Sequence, residues 1–75
     1  MKELIEYIAR SLVDHPEAVK VTQVEGEQSI IFELTVAQED MGKIIGKEGR
    51  IANAMRTLLK VAAAREGKRA VLEII

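Results

Sequence analysis

The sequence has no cysteine and no tryptophan, and only one proline, one phenylalanine and one histidine in 75 residues. Without cysteine there is neither a disulfide framework nor a thiolate metal site, and nothing points to an oxidising compartment. The lone histidine, His15, has no partners with which to form a catalytic triad, and beside Pro16 it reads as a surface turn residue. No apolar stretch is long enough for a signal peptide or a membrane span, so the default expectation is a cytoplasmic protein with no membrane partner. Paired carboxylates flanking a cleft, a metal-ligand cluster and an activated nucleophile are all missing, so neither catalysis nor a cofactor is expected. What remains, 48% hydrophobic and 31% charged residues, suits one globular domain spanning 1–75.

Glycine is also scarce, yet three of the five glycines fall within "GKIIGKEGR", residues 42–50. Charge is concentrated there too. Residues 42–60 hold Lys43, Lys47, Arg50, Arg56 and Lys60 against Glu48 alone. Five cations and one carboxylate give +4 in a chain whose total is −1, which leaves −5 for the rest. Such segregation can make a local anion site on a protein of unremarkable pI.

Periodicity predicts the elements. Leu4, Ile5, Ile8, Leu12 and Val13 recur at helical spacing over about 2–13, and the helix ends before Pro16. Residues 19–24 and 29–36 are rich in β-branched residues, and Glu25 to Gln28 reads as the hairpin loop between them. A short helix over 38–45 follows, with Glu39 and Asp40 as first-turn acids. A long helix over 50–65 is closed by Gly67, and a last strand covers 69–75. At about 100° per residue, Ile51, Met55, Leu58, Leu59 and Ala62 are expected to face the sheet. Asn53, Thr57, Lys60 and Ala64 face away, with Val61 at the edge.

Gly46 and Gly49 lie between two helices with two polar residues between them. Gly46 is expected to end the short helix in a left-handed conformation, and Gly49 to admit a closely approaching backbone. The long helix starts at this loop, so its unpaired N–H groups and positive end face it. Lys47 and Arg50 add full charges, and Lys43 lies one turn earlier; Arg56 and Lys60 lie further along. This is a compact site for a phosphodiester backbone. Ile44 stands where a dinucleotide fingerprint needs glycine, and residues 47–49 do not fit a P-loop.

Ile44-Ile45-Gly46-Lys47-Glu48-Gly49-Arg50-Ile51 resembles the signature of a KH domain, an apolar pair, G-x-x-G, then an apolar residue. Together with "KELIEYIARSLVDHPEAVKV" and "GKRAVLEII", it resembles the small bacterial stand-alone KhpA family over nearly the whole chain. The resemblance implies a type II KH domain, an α/β (α+β) fold of order α-β-β-α-α-β with helices on one face of a three-stranded sheet. It further implies that Gly46, Lys47, Glu48 and Gly49 clamp about four unpaired nucleotides, within a site formed by Lys43, Ile45, Arg50 and Asn53 as well. The second strand, near Ile31 and Glu33, is expected to form one edge of the groove. Glu48 opposes phosphate, so binding is expected to be weak and salt-sensitive. Tyr7 and Phe32 are too few for an aromatic stacking platform. RNA and single-stranded DNA are both left open as ligands.

Thr57, Val61 and Ala64, small or apolar on the outer stripe of the long helix, are expected with Asn53 to help form a homodimer; the resemblance implies self-association too, and a heterodimer with a larger Jag/KhpB-type KH protein. A pure interaction module and a helix-hairpin-helix DNA-binding unit are the alternatives. Three strand candidates weigh against the second.

Overall fold

The computed structural model describes residues 1–75. Helix α1 covers Lys2–Leu12, strands β1 and β2 cover Lys20–Glu25 and Ser29–Thr35, helices α2 and α3 cover Met41–Ile45 and Arg50–Ala64, and strand β3 covers Arg69–Ile74. Short 3-10 turns at Pro16–Ala18, Gln38–Asp40 and Lys47–Gly49 join them. The predicted order and the type II KH arrangement are both present. Element ends differ from the sequence reading by one or two residues, except that the expected helix over 38–45 splits into a 3-10 turn followed by α2.

The sheet order is β1-β2-β3. A tight hairpin makes β1 and β2 antiparallel, pairing Lys20 with Thr35 and Glu25 with Ile30. Strand β3 runs parallel to β2, with Ser29 opposite Arg69 and Leu34 opposite Ile74. Parallel neighbours need a crossover, and the α2-loop-α3 unit provides it. The alternation in β2 sets the faces: Ile30, Phe32 and Leu34 are fully buried against the helices, while Ile31 and Glu33 turn outward. Val24 and Val71, paired with Ile31 on the outer face, are about half exposed, so all three helices lie on the other side. Ile5 and Ala9 of α1, Ile44 of α2, and Met55 and Leu59 of α3 close the core there.

Two expectations are corrected here. The buried stripe of α3 is Ala52, Met55, Leu59 and Ala63, whereas Leu58 is 48% exposed and Ile51 and Ala62 are only part-buried. Helix α3 carries more apolar residues than one face can hold, and the small alanines let it sit close to the sheet on a rotated face. Strand β2 is central and paired on both sides, so Ile31 and Glu33 cannot edge a groove beside the loop. That edge is β3, which packs directly against α3.

Asp40 is also more than a first-turn acid. It is 1% exposed, and its carboxylate accepts the N–H of Asp14 at 3.2 Å and of His15 at 3.0 Å. The α1–β1 connection is thereby pinned to the start of α2.

Candidate nucleic-acid interface

The loop between α2 and α3 is held by three successive backbone choices. The Gly46 N–H bonds the Gly42 carbonyl at 2.9 Å and stops α2, with Gly46 at φ 76° and ψ 174°. The sequence reading expected a left-handed helical C-cap at this position; the observed region is instead the extended one at positive φ, which only glycine adopts readily. Its missing Cβ also makes room for Ile51, since an added Cβ would lie 2.6 Å from Ile51 Cγ1. This side-chain approach at Gly46 is a second reason for glycine there, one that the sequence reading did not include. Gly49 has the left-handed helical geometry instead, φ 76° and ψ 13°, and a Cβ there would meet nothing nearer than Asn53 Nδ2 at 3.8 Å.

Between the two glycines, Glu48 is the only non-glycine residue at positive φ, at 57° and ψ 24°. For a carboxylate residue this conformation costs about 1–2 kcal/mol. The turn is closed by the Gly49 N–H to the Gly46 carbonyl at 3.1 Å. Lys47 and Glu48 open the helical run that continues into α3, and the N–H groups of a first helical turn have no partner within the helix. Both stand at the positive end of the 15-residue α3, where an anion is stabilised by the amides and the helix dipole together.

The side chains around this point fall into three groups. Lys47 is exposed and forms no ion pair. Arg50 reaches Glu48 Oε2 at 3.5 Å, which draws the carboxylate toward the first turn of α3 and offsets the charge that opposes phosphate. Lys43 lies apart from both, with its ammonium bonded to Asp14 and 3.9 Å from Asp40 Oδ1. The hydrogen bond to Asp14 holds the Lys43 pKa above its ordinary value, and the same bond to Lys43 holds Asp14 below the usual carboxylate range. The structure thus assigns Lys43 to the α1–α2 side, and Lys47 and Arg50 to the loop.

The apolar residues separate equally clearly. Ile44 is fully buried and Ile51 packs under Gly46, while Ile45 is 39% exposed at the end of α2. Ile45 is therefore the one available to a ligand. On α3, Asn53 follows Gly49 by one turn, and its Oδ1 accepts from Arg56 Nη1 at 3.3 Å. Arg56 Nη2 donates to the Leu72 carbonyl at 3.4 Å, which fixes the guanidinium at the α3–β3 border. Tyr7 is 73% exposed on α1, and Phe32 is buried.

The sequence that builds this G-x-x-G turn, between helices that pack on a mixed sheet, is matched by a family model. The description "KhpA/KhpB, KH domain" fits residues 2–74. The chain belongs to this family. Among its relatives are the RNA-binding protein KhpA of Clostridium acetobutylicum, 65% identical, and that of Clostridium perfringens, 64% identical. Each alignment spans 75 residues and covers the whole of both chains. The RNA-binding protein KhpA of Aquifex aeolicus is 47% identical over 75 residues, all of this chain and 95% of that one. A crystal structure of an Era variant from Aquifex aeolicus, bound to GDP and aluminium fluoride, superposes with a TM-score of 0.67 at 20% identity. It covers 97% of this KH domain, which spans 28% of the Era chain, and the likeness is one of fold. The three-stranded sheet sets the helix-hairpin-helix alternative aside.

Sequence reasoning missed Leu58, which it placed in the core, and Arg69, which only strand pairing brings beside α3. No sequence signal marks Arg69. Leu58 falls within three residues of Val61 on the outward side of α3, and that spacing was the available clue.

Proposed function

We propose that this KH domain binds single-stranded RNA in the cytoplasm, as an RNA chaperone or post-transcriptional regulator. It holds the backbone of about four nucleotides at Gly46–Gly49. The observation that carries this reading is the turn of Lys47 and Glu48 between two positive-φ glycines, which sets first-turn N–H groups at the N-terminus of α3. The name of the relatives, RNA-binding protein KhpA, supports it. In this reading Lys47 and Arg50 neutralise phosphate, Asn53 offers a side-chain amide one turn further, and Ile45 lies against a base. Glu48, turned toward Arg50, weakens the grip without abolishing it. Single-stranded DNA presents the same backbone and is an expected weaker or equal ligand.

The test is the double variant Lys47→Asp/Glu48→Asp, measured by fluorescence anisotropy on unpaired RNA, unpaired DNA and duplex DNA. The change of two charge units at close range is about 1 kcal/mol each in water. The expected result is a loss of at least about tenfold, with the circular dichroism spectrum unchanged. Undiminished RNA binding by a folded double variant would sink the reading, and a preference of the unaltered protein for duplex DNA would replace it.

A second reading concerns protein contacts. Helix α3 presents Ala54, Leu58 and Val61 on one outward stripe, with Leu58 48% and Val61 54% exposed. Thr57 and Ala64 lie beside it, also exposed. Such a stripe suits self-association or pairing with a KhpB-type protein, and two weak clamps on one dimer gain by avidity. In sedimentation, the unaltered chain is expected to run as a dimer and Val61→Glu as a monomer. An unchanged mass for the variant would show that the stripe is ordinary surface.

A further inference from the structure

The loop does not account for all of the unpaired positive charge. Arg10, Lys43, Arg50 and Lys68 each face a carboxylate. Lys60 and Arg69 form no ion pair, although the chain is net negative. These two meet at an open pocket of about 250 Å³ whose remaining lining is Lys68, Ala70 and Val71. Lys68 is held by Glu25, whose carboxyl lies below its usual range because of that bond. It therefore furnishes a wall more than a free charge.

The floor of the pocket is a strand edge. Arg69 and Ile75 direct their N–H groups into the sheet, to the carbonyls of Gln28 and Leu34 at 2.9 Å. Backbone groups alternate along a strand in a parallel ladder, so those of Ala70 and Leu72 point to the free edge. The bond from Arg56 to the Leu72 carbonyl shows this orientation directly. At Ala70, then, two free cations and an outward backbone amide converge over a small side chain. The pocket lies on the same side of α3 as Gly49, Asn53 and Arg56. Lys60 follows Arg50 by ten residues, about 15 Å along the helix.

We propose that this pocket is a second phosphate subsite, which takes a backbone phosphate of the strand held at the G-x-x-G loop, beyond the nucleotides the loop grips. The inference rests on the RNA-binding reading and deepens it. The loop sets the anchor, and Lys60 with Arg69 sets how long a strand is favoured. Each single-strand phosphate neutralised contributes about 0.7 to the log-log salt slope, so a strand long enough to reach the pocket has a steeper salt dependence than a short one.

The experiment compares oligouridylates of four and ten nucleotides, by anisotropy across a potassium chloride series, with the unaltered chain and with Lys60→Gln/Arg69→Gln. Both residues are exposed, so the variant is expected to fold, and amide NMR spectra check this. The expected result is a loss of about tenfold on the decamer and a shallower salt slope, with tetramer binding changed less than about twofold. The Ala70 amide is expected to shift with decamer and not with tetramer. Equal losses on both lengths, or none on the decamer, would overturn the proposal while leaving the loop reading intact. Binding of neither oligonucleotide by the unaltered chain would remove both. A shift of the Ala70 amide by AMP or inorganic phosphate, undiminished with the tetramer bound, would make the pocket a free-nucleotide or phosphate site and overturn the strand assignment. Displacement by a polyglutamate peptide without any decamer effect would mark it as a protein contact, with the same consequence.

Discussion

Gly46→Ala is expected to lose about 2–6 kcal/mol of folding stability in urea denaturation. Two independent effects add. The backbone region at φ 76°, ψ 174° costs a residue with a Cβ about 1–3 kcal/mol. The new methyl would also lie 2.6, 2.9 and 3.0 Å from Ile51 Cγ1, Cδ1 and Cβ. Rotation of the Ile51 side chain relieves the first two distances but not the third, because Cβ is fixed to the helix backbone. Overpacking of this kind costs about 1–3 kcal/mol. A domain of this size has about 4–11 kcal/mol in total, so the variant sits near the edge of folding.

Neighbouring glycines give the contrast that makes the prediction specific. Gly49→Ala makes only an ordinary contact with Asn53 Nδ2 at 3.8 Å and bears only the left-handed penalty of about 1–2 kcal/mol. Gly42→Ala, inside α2 with nothing within 4 Å, is expected to gain about 0.5–1 kcal/mol. Three equal effects, or Gly46→Ala no worse than Gly49→Ala, would mean that the loop does not have this backbone.

The second large effect is expected at Asp40. Asp40→Ala removes the acceptor of two backbone N–H groups, those of Asp14 and His15, from a site where the carboxylate is 1% exposed. Leaving a buried donor unpaired costs about 1–3 kcal/mol, and here there are two, each part-buried. The expected loss is about 2–4 kcal/mol. Asp40→Asn keeps one acceptor oxygen and is expected to lose roughly half as much. Asp14→Ala removes an exposed partner of Lys43 and is expected to change stability little, as exposed pairs do. Chemical denaturation of the three variants gives the order directly. An Asp40→Ala variant as stable as Asp14→Ala would show that the α1–β1 connection is held by something else. Neither residue lies at the G-x-x-G loop, so RNA affinity is expected to follow only the folded fraction.

These two positions illustrate what is legible in a linear chain. Gly46 was identified from the sequence as the stop of the short helix, and it ends α2, although in the extended positive-φ region. The Ile51 side chain that fills the place of its Cβ was not legible, because it turns back under the loop from the next helix. Asp40 was read as a helix acid, since its partners lie 25 and 26 residues away in the chain. No local pattern encodes such a distance. Lys43 shows the same limit: its charge was counted toward the loop, whereas Asp14 across the α1–α2 junction holds it.

Local chemistry fixed the element types, the β2 alternation, the helix stop before Pro16, the C-terminal Gly67 and the G-x-x-G turn, because each depends on residues within a few positions. Tertiary structure decided which face of α3 is buried, which strand borders the site, and which cations remain free. Those outcomes depend on how the sheet pairs and how closely alanines let α3 approach it, and on carboxylates brought near from elsewhere in the fold. Burial and ion pairing are properties of three-dimensional neighbours, and a sequence lists only neighbours along one dimension.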